Sequence, residues 1–268
     1  MISAIITTPT ENDILSLKKL WKDIFKDSDS YIELFFSKKF NPATSFVIKE
    51  NNDVCGMLFA ELNTVVKAGK ELKGAYLCGI ATGPDKRGKG YASKLINHAL
   101  ENLKDVDIFY LIPAEESLFD YYERFGFKPF TFFDKVSIEK KEVLSIPEYK
   151  QEFSYEILNE FYEKSCNGVF VKRSKSDFEA IYDCYKKFMI FENGYIVYYI
   201  DKGVLNITEY TTDFETASSI GAYIMNKYNL DDGYILKRNG NTPFSACRTK
   251  VDFHEDDKYV NLMLNWEG

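Results

Sequence analysis

The chain is poor in the residues from which metal centres and disulfide frameworks are built. It holds two histidines, His98 and His254, and five cysteines. Cys55, Cys78, Cys166, Cys184 and Cys247 are odd in number, scattered, and never spaced as C-x-x-C. That pattern argues against a zinc site and against a disulfide scaffold, so no metal is expected. His98 falls on the polar side of a helical pattern and His254 in an acidic run, His254-Glu255-Asp256-Asp257. Neither reads as catalytic. Cys78 has no histidine near it in sequence and reads as a small buried residue rather than an acyl-carrying nucleophile.

Basic charge is also in short supply. A formal net charge of −7 argues against nucleic acid or an anionic membrane as the main partner. No apolar run reaches about 18 residues, and the opening MISAIITTPTEND lacks a basic region followed by an apolar core. The expectation is a reduced, cytoplasmic protein with no membrane partner. With 45% hydrophobic residues and only seven prolines, the chain has the means for a large core rather than disorder.

What is present is organised around residues 76–104, YLCGIATGPDKRGKGYASKLINHALENLK. Tyr76 to Thr82 is rich in β-forming residues, and Gly83-Pro84-Asp85 breaks it. Apolar residues then recur at Ala92, Leu95, Ile96, Ala99, Leu100 and Leu103, the spacing of a helix with one buried face. Between strand and helix stands Arg87-Gly88-Lys89-Gly90-Tyr91-Ala92. Its glycines let backbone approach a ligand closely. The first helical N–H groups have no internal partner and sit at the positive end of the helix dipole. With Arg87 and Lys89 beside them, the turn reads as a site for phosphate or pyrophosphate. It is not a P-loop, because G-x-x-x-x-G-K-[ST] is missing. It is not a dinucleotide fingerprint either, because Gly88-Lys89-Gly90 lacks the third glycine.

The turn resembles the pyrophosphate motif (Q/R)-x-x-G-x-(G/A) of the GNAT N-acetyltransferases. The resemblance implies acetyl-CoA bound across it, contacting Ile80, Ala81 and Thr82 on the strand and Arg87, Gly88, Lys89, Gly90, Tyr91 and Ala92 on the turn. The flanking elements follow the order of that family. Helical runs at residues 11–25 and 29–38 precede strand signals at 45–50, 54–64 and 65–78. After the central helix come an apolar strand at 108–112, a short helix at 115–125 and a last strand at about 130 to 140. Tyr122, shortly before Gly126-Phe127, resembles the family's second signature.

The remainder repeats the order of elements without repeating the residues. A charged stretch at 139–150 reads as a boundary, which gives domains at 1–140 and 141–268. Helices are expected at 154–166 and 176–187, followed by three strands up to Tyr210, a helix capped by Asp213, and a strand at Gly233 to Lys237. Where the first half has its glycine turn, this half has Tyr210-Thr211-Thr212-Asp213-Phe214. Asp213 would repel a phosphate, so only the first domain should bind CoA. The fold class expected is α/β: two GNAT-like lobes, each a mixed, mostly antiparallel central sheet flanked by helices. Tandem lobes with one active copy resemble the Eis-type (enhanced intracellular survival) acetyltransferases, which acetylate amines including aminoglycosides. The expectation is an arrangement that lacks their third, sterol-carrier-like domain.

The resemblance implies acetyl transfer from acetyl-CoA to a primary amine of a small-molecule or peptidic acceptor, cationic acceptors among those compatible with the acidic charge, in a groove between the lobes. Tyr122 would be the general acid for the departing thiolate, with Tyr121 as its rival. The opening strand has no carboxylate to serve as base. Glu61 is available, but reads more readily as an exposed strand residue. By likeness to Eis-type enzymes the C-terminal carboxylate of Gly268 would take the proton. Two other readings stand beside this one: an acyl-CoA-binding sensor without catalysis, and a tRNA-dependent aminoacyl transferase. The acidic composition and the intact pyrophosphate motif count against the last.

Overall fold

A computed structural model describes residues 4–143, 145–166, 168–185 and 187–252. Gly268, His254 and the run from Tyr259 to Trp266 lie outside the described residues. In chain order the strands are β1 (Ile5–Thr7), β2 (Ser45–Glu50), β3 (Asp53–Lys67), β4 (Lys70–Thr82), β5 (Ile108–Leu111), β6 (Lys128–Ser137), β7 (Val169–Lys172), β8 (Phe188–Phe191), β9 (Gly194–Asp201), β10 (Val204–Tyr210), β11 (Asp232–Arg238) and β12 (Thr242–Thr249). The helices are α1 (Ile14–Phe25), α2 (Asp29–Lys38), α3 (Tyr91–Asn102), α4 (Leu118–Glu123), α5 (Tyr155–Ser165), α6 (Lys175–Tyr185) and α7 (Phe214–Tyr228). Among the described residues no helix is long and apolar enough to cross a membrane.

The chain divides into two compact units. The first comprises residues 4–65, 69–129 and 245–252. Its strands lie in the order β1-β2-β3-β4-β5-β12. β1, β2 and β3 pair antiparallel, β4 runs parallel to β5, and β5 pairs antiparallel with β12. A parallel pair needs a crossover, and α3 supplies it. The strand alternation sorts two faces. Phe46, Ile48, Leu58 and Leu77 pack with Leu95, Ile96 and Ala99 of α3. Phe59, one residue on from Leu58, points the other way and stacks on Trp21 of α1 at 5.7 Å between ring centres. Trp21 also meets Phe35 of α2 at 4.5 Å.

The second unit is built on β6-β11-β10-β9-β8. β8, β9 and β10 pair antiparallel, α7 carries the crossover to a parallel β11, and β6 pairs antiparallel with β11. Asp213 caps α7, accepting the Thr216 N–H at 2.8 Å, and Asn229 ends the helix in the left-handed region. Ile220 and Ile224 of α7 pack on Ile196, Ile207 and Ile235 of the sheet.

The strand expected at about 130 to 140, at the end of the first domain, runs over residues 128–137 and pairs in the second unit: Val136 stands opposite Ile235 and Phe133 opposite Arg238. The strand beside β5 is β12, from much further along the chain, with Cys247 opposite Tyr110.

Candidate functional site

The turn between β4 and α3 is held by backbone geometry that demands glycine. Gly88 and Gly90 have φ of 77° and 71°. A Cβ at either position would meet no heavy atom within 4 Å, so conformation and not crowding sets the residue type. Open space above the backbone is what close approach by a ligand requires. The helix's first internal bond runs from the Lys94 N–H to the Gly90 carbonyl, 3.0 Å. The N–H groups of Tyr91, Ala92 and Ser93 consequently have no helical acceptor. Arg87 and Lys89 are exposed beside them, while Tyr91 is buried and Ala92 half-buried.

One residue of this site carries no sequence signal. Glu50, the last residue of β2, is bonded to three side chains of the turn. Its Oε2 accepts from Lys86 Nζ at 2.9 Å and its Oε1 from Lys89 Nζ at 2.7 Å. The Tyr91 hydroxyl donates to the same Oε1. These bonds, with that of Lys89 first and those of Tyr91 and Lys86 after it, lower the Glu50 pKa to about 2. A tight hairpin places it there: Asn51 and Asn52 both take positive φ, and Glu50 pairs with Asp53. The Gly83 N–H bonds the Cys55 carbonyl at 2.9 Å and ties the end of β4 to the same hairpin.

β4 and β5 part company before the turn. Their parallel ladder covers Gly74 to Tyr76 opposite Ile108 to Tyr110, and β4, still beside β3, then runs on past β5 through Thr82. Gly79 lies in this segment with φ 56°. Its conformation suits the irregularity that re-aims a strand's N–H groups. Ile80, Ala81 and Thr82 follow it, and the Thr82 Oγ1 is buried without a hydrogen-bond partner.

The two tyrosines of α4 are in different settings. Tyr121 shares a 3.0 Å hydrogen bond with Ser93 of α3 and has the Arg124 guanidinium 4.6 Å from its ring centre. Tyr122 is 8% exposed, packed in the α3-side core, and edge-on to Phe127 at 6.2 Å. Burial, and after it the neighbouring Tyr121, push its hydroxyl up to about 12.

Glu61 is not an exposed strand residue. Its side chain is 9% exposed, with Lys39 Nζ 3.4 Å away, and the Cys78 thiol donates to its Oε1 at 3.7 Å. The reason is strand alternation: Glu61 lies two residues beyond Phe59, on the α1 and α2 face. Its contact on β4, Cys78, immediately precedes Gly79. The Cys78 thiol is engaged with a carboxylate, whose negative charge disfavours the thiolate that a nucleophile needs. Trp21, Phe35 and Phe59 on that face are core residues, each almost fully buried, whereas Phe36 and Phe40 are half-buried.

Residues 6–130 match the family described as the acetyltransferase (GNAT) domain. Among curated proteins none matches the sequence. The fold is similar to that of a conserved protein of unknown function from Enterococcus faecalis, with TM-score 0.72 at 16% identity over 93% of this chain and 73% of that one. It is similar also to a GCN5-related N-acetyltransferase from Anabaena variabilis, with TM-score 0.70 at 16% identity over 92% and 73%. Eis1 from Mycobacterium abscessus gives TM-score 0.65 at 12% identity over 92% and 74%.

Proposed function

We propose that the first unit, whose residues 6–130 match a GNAT acetyltransferase domain, moves acetyl from acetyl-CoA to a primary amine. The observation that carries this is the open turn from Arg87 to Gly90, set at the N-terminus of α3 next to a strand that has left its neighbour. Pyrophosphate suits that arrangement, because N–H groups without internal acceptors and the Arg87 charge converge on one open surface. The thioester then lies along Gly79 to Thr82, where a strand N–H on the side beyond the β5 ladder polarises its carbonyl as the oxygen gains charge. The amine attacks the carbonyl carbon, the carbon–sulfur bond breaks, and Tyr122 supplies the proton that the leaving thiolate takes. The proton lost by the amine goes to Glu61, to the carboxylate of Gly268, or to water.

We read the second unit as a copy of the same architecture that does not bind CoA. Both have antiparallel strands, a parallel crossover through one helix, and a flanking antiparallel strand. At the N-terminus of α7 the Asp213 carboxylate already takes a helical N–H. An anion there would meet like charge.

The test is thiol release from acetyl-CoA in the presence of polyamines, aminoglycosides and peptides, comparing wild type with Tyr122→Phe. Turnover with an amine and its loss in the variant support the reading. CoA binding with no turnover on any amine supports instead an acyl-CoA-binding protein, a reading that the packing of Tyr122 in the core favours. Glu61→Gln and deletion of Glu267 and Gly268 separate the two bases: the change that abolishes transfer to a good acceptor identifies the carboxylate.

A further inference from the structure

We propose that Glu50 is a positioning residue for the donor substrate, a built-in anion that holds the turn in its binding conformation before CoA arrives. This rests on the assignment of the turn to acyl-CoA. The three groups bonded to Glu50 bracket the two left-handed glycines: Lys86 precedes Gly88, Lys89 stands between the glycines, and Tyr91 follows Gly90. Two glycines at positive φ with no packing over them make a segment with much conformational freedom to lose on binding. A ligand that had to order that segment would lose affinity to the ordering. Glu50 removes this cost by fixing the turn from its buried side.

The geometry also explains how a carboxylate can serve at an anion site. Glu50 is 6% exposed and lies behind the turn, whereas Lys89 is 47% exposed. An ammonium has three donors. Lys89 can keep its bond to Glu50 and offer another to a phosphate oxygen. Arg87 takes no part in the Glu50 network and keeps its charge for the ligand.

The two roles open to a buried carboxylate here predict opposite signs. If Glu50 acts only through charge, removing the charge makes the site more positive and tightens binding of a polyanion. If it positions the turn, removing it weakens binding. The experiment is calorimetric titration of CoA into wild type and Glu50→Gln, with KM for acetyl-CoA and kcat measured on the same proteins.

Glu50→Gln should bind CoA about tenfold more weakly and raise KM by a similar factor, with kcat within about twofold of wild type, because nothing at the reacting atoms changes. Tyr91→Phe keeps the carboxylate and both lysines, and should show a smaller loss of the same kind. It also carries the test should Glu50→Gln fail to fold. Equal or tighter CoA binding by a folded Glu50→Gln overturns the proposal. So does a fall in kcat at unchanged KM. Failure of wild type itself to bind CoA overturns the assignment of the turn and this proposal together, a result distinct from the other two.

Discussion

Gly79 and Phe59 are so close that a Cβ on Gly79 would lie 2.5 Å from Cδ2 of the Phe59 ring. The ring cannot easily give way, because it is stacked on Trp21 and packed against Phe35 at 5.3 Å. Gly79 also holds φ 56°, where a side chain is strained. Two independent demands for glycine meet at the point where β4 leaves β5.

Gly79→Ala should therefore destabilise the first unit by about 3 kcal/mol, the sum of left-handed strain and overpacking. The urea midpoint of the purified variant measures this. Gly88→Ala is the natural control: its φ is similar and its Cβ would meet nothing, so only the strain remains, about 1 to 2 kcal/mol. An equal loss in the two variants would show that the Phe59 contact costs nothing.

Glu50 gives the protein an acid limit that can be read without any ligand. Its carboxyl is held near 2, from an ordinary value of 4.5, by the Lys89, Tyr91 and Lys86 bonds. A depressed value in the folded state means that its contribution to stability is full above about 4.5 and is lost as pH falls toward 2. Wild type should lose more stability than Glu50→Gln between pH 6 and pH 3. Urea midpoints of both proteins at the two pH values decide it, and parallel losses would contradict the assignment.

What could be read in the sequence was local. The helical spacing from Ala92 to Leu103, the glycines at 88 and 90, and the cap at Asp213 each depend on neighbours a few residues away, and each is in place. The features that escaped depend on residues far apart in the chain. Glu50 reaches partners at positions 86, 89 and 91, and nothing in SFVIKE marks its last residue as different from a solvated strand end. Glu61 looked exposed because a strand's two faces cannot be ranked until something packs on them. The pairing of β12 with β5 joins residues 246–249 to residues 108–111, and no local pattern names that partner.

In the second unit Arg173 and Glu209 form a two-pronged ion pair, at 2.8 and 2.7 Å, with almost no exposed surface. The Tyr195 hydroxyl donates to the same carboxylate at 2.5 Å, and the guanidinium lies 4.1 Å from the Tyr162 ring centre. Burial opposes the Glu209 charge, yet Arg173 outweighs it and holds the carboxyl near 2. Arg173→Met should cost about 3 to 5 kcal/mol, because it strands a buried charge. Adding Glu209→Leu should recover part of that loss, since removing both charges leaves neither uncompensated. A double variant no more stable than the single would mean that the pair does more than neutralise itself, and urea unfolding of the three proteins tells the cases apart.

Tyr122 offers the sharpest test of the chemistry, because burial moves its hydroxyl away from the ordinary tyrosine value. Burial raises the hydroxyl from 10 to about 12, with Tyr121 adding to the shift. A general acid must be protonated, so Tyr122 remains competent up to about pH 12 and contributes no falling limb to the rate profile below about pH 11. The same shift acts on stability. A folded value raised above the unfolded one means that its contribution is whole below pH 10 and is lost as pH rises from 10 through 12. Tyr122→Phe should lower kcat about a hundredfold with little change in KM, the usual scale for loss of a positioned acid. The residual rate should keep the wild-type pH profile below pH 10. If Tyr121→Phe gave the larger loss, the proton would come from the tyrosine bonded to Ser93. Undiminished kcat in both variants would return the two rings to the core and leave the thiolate to take its proton from water.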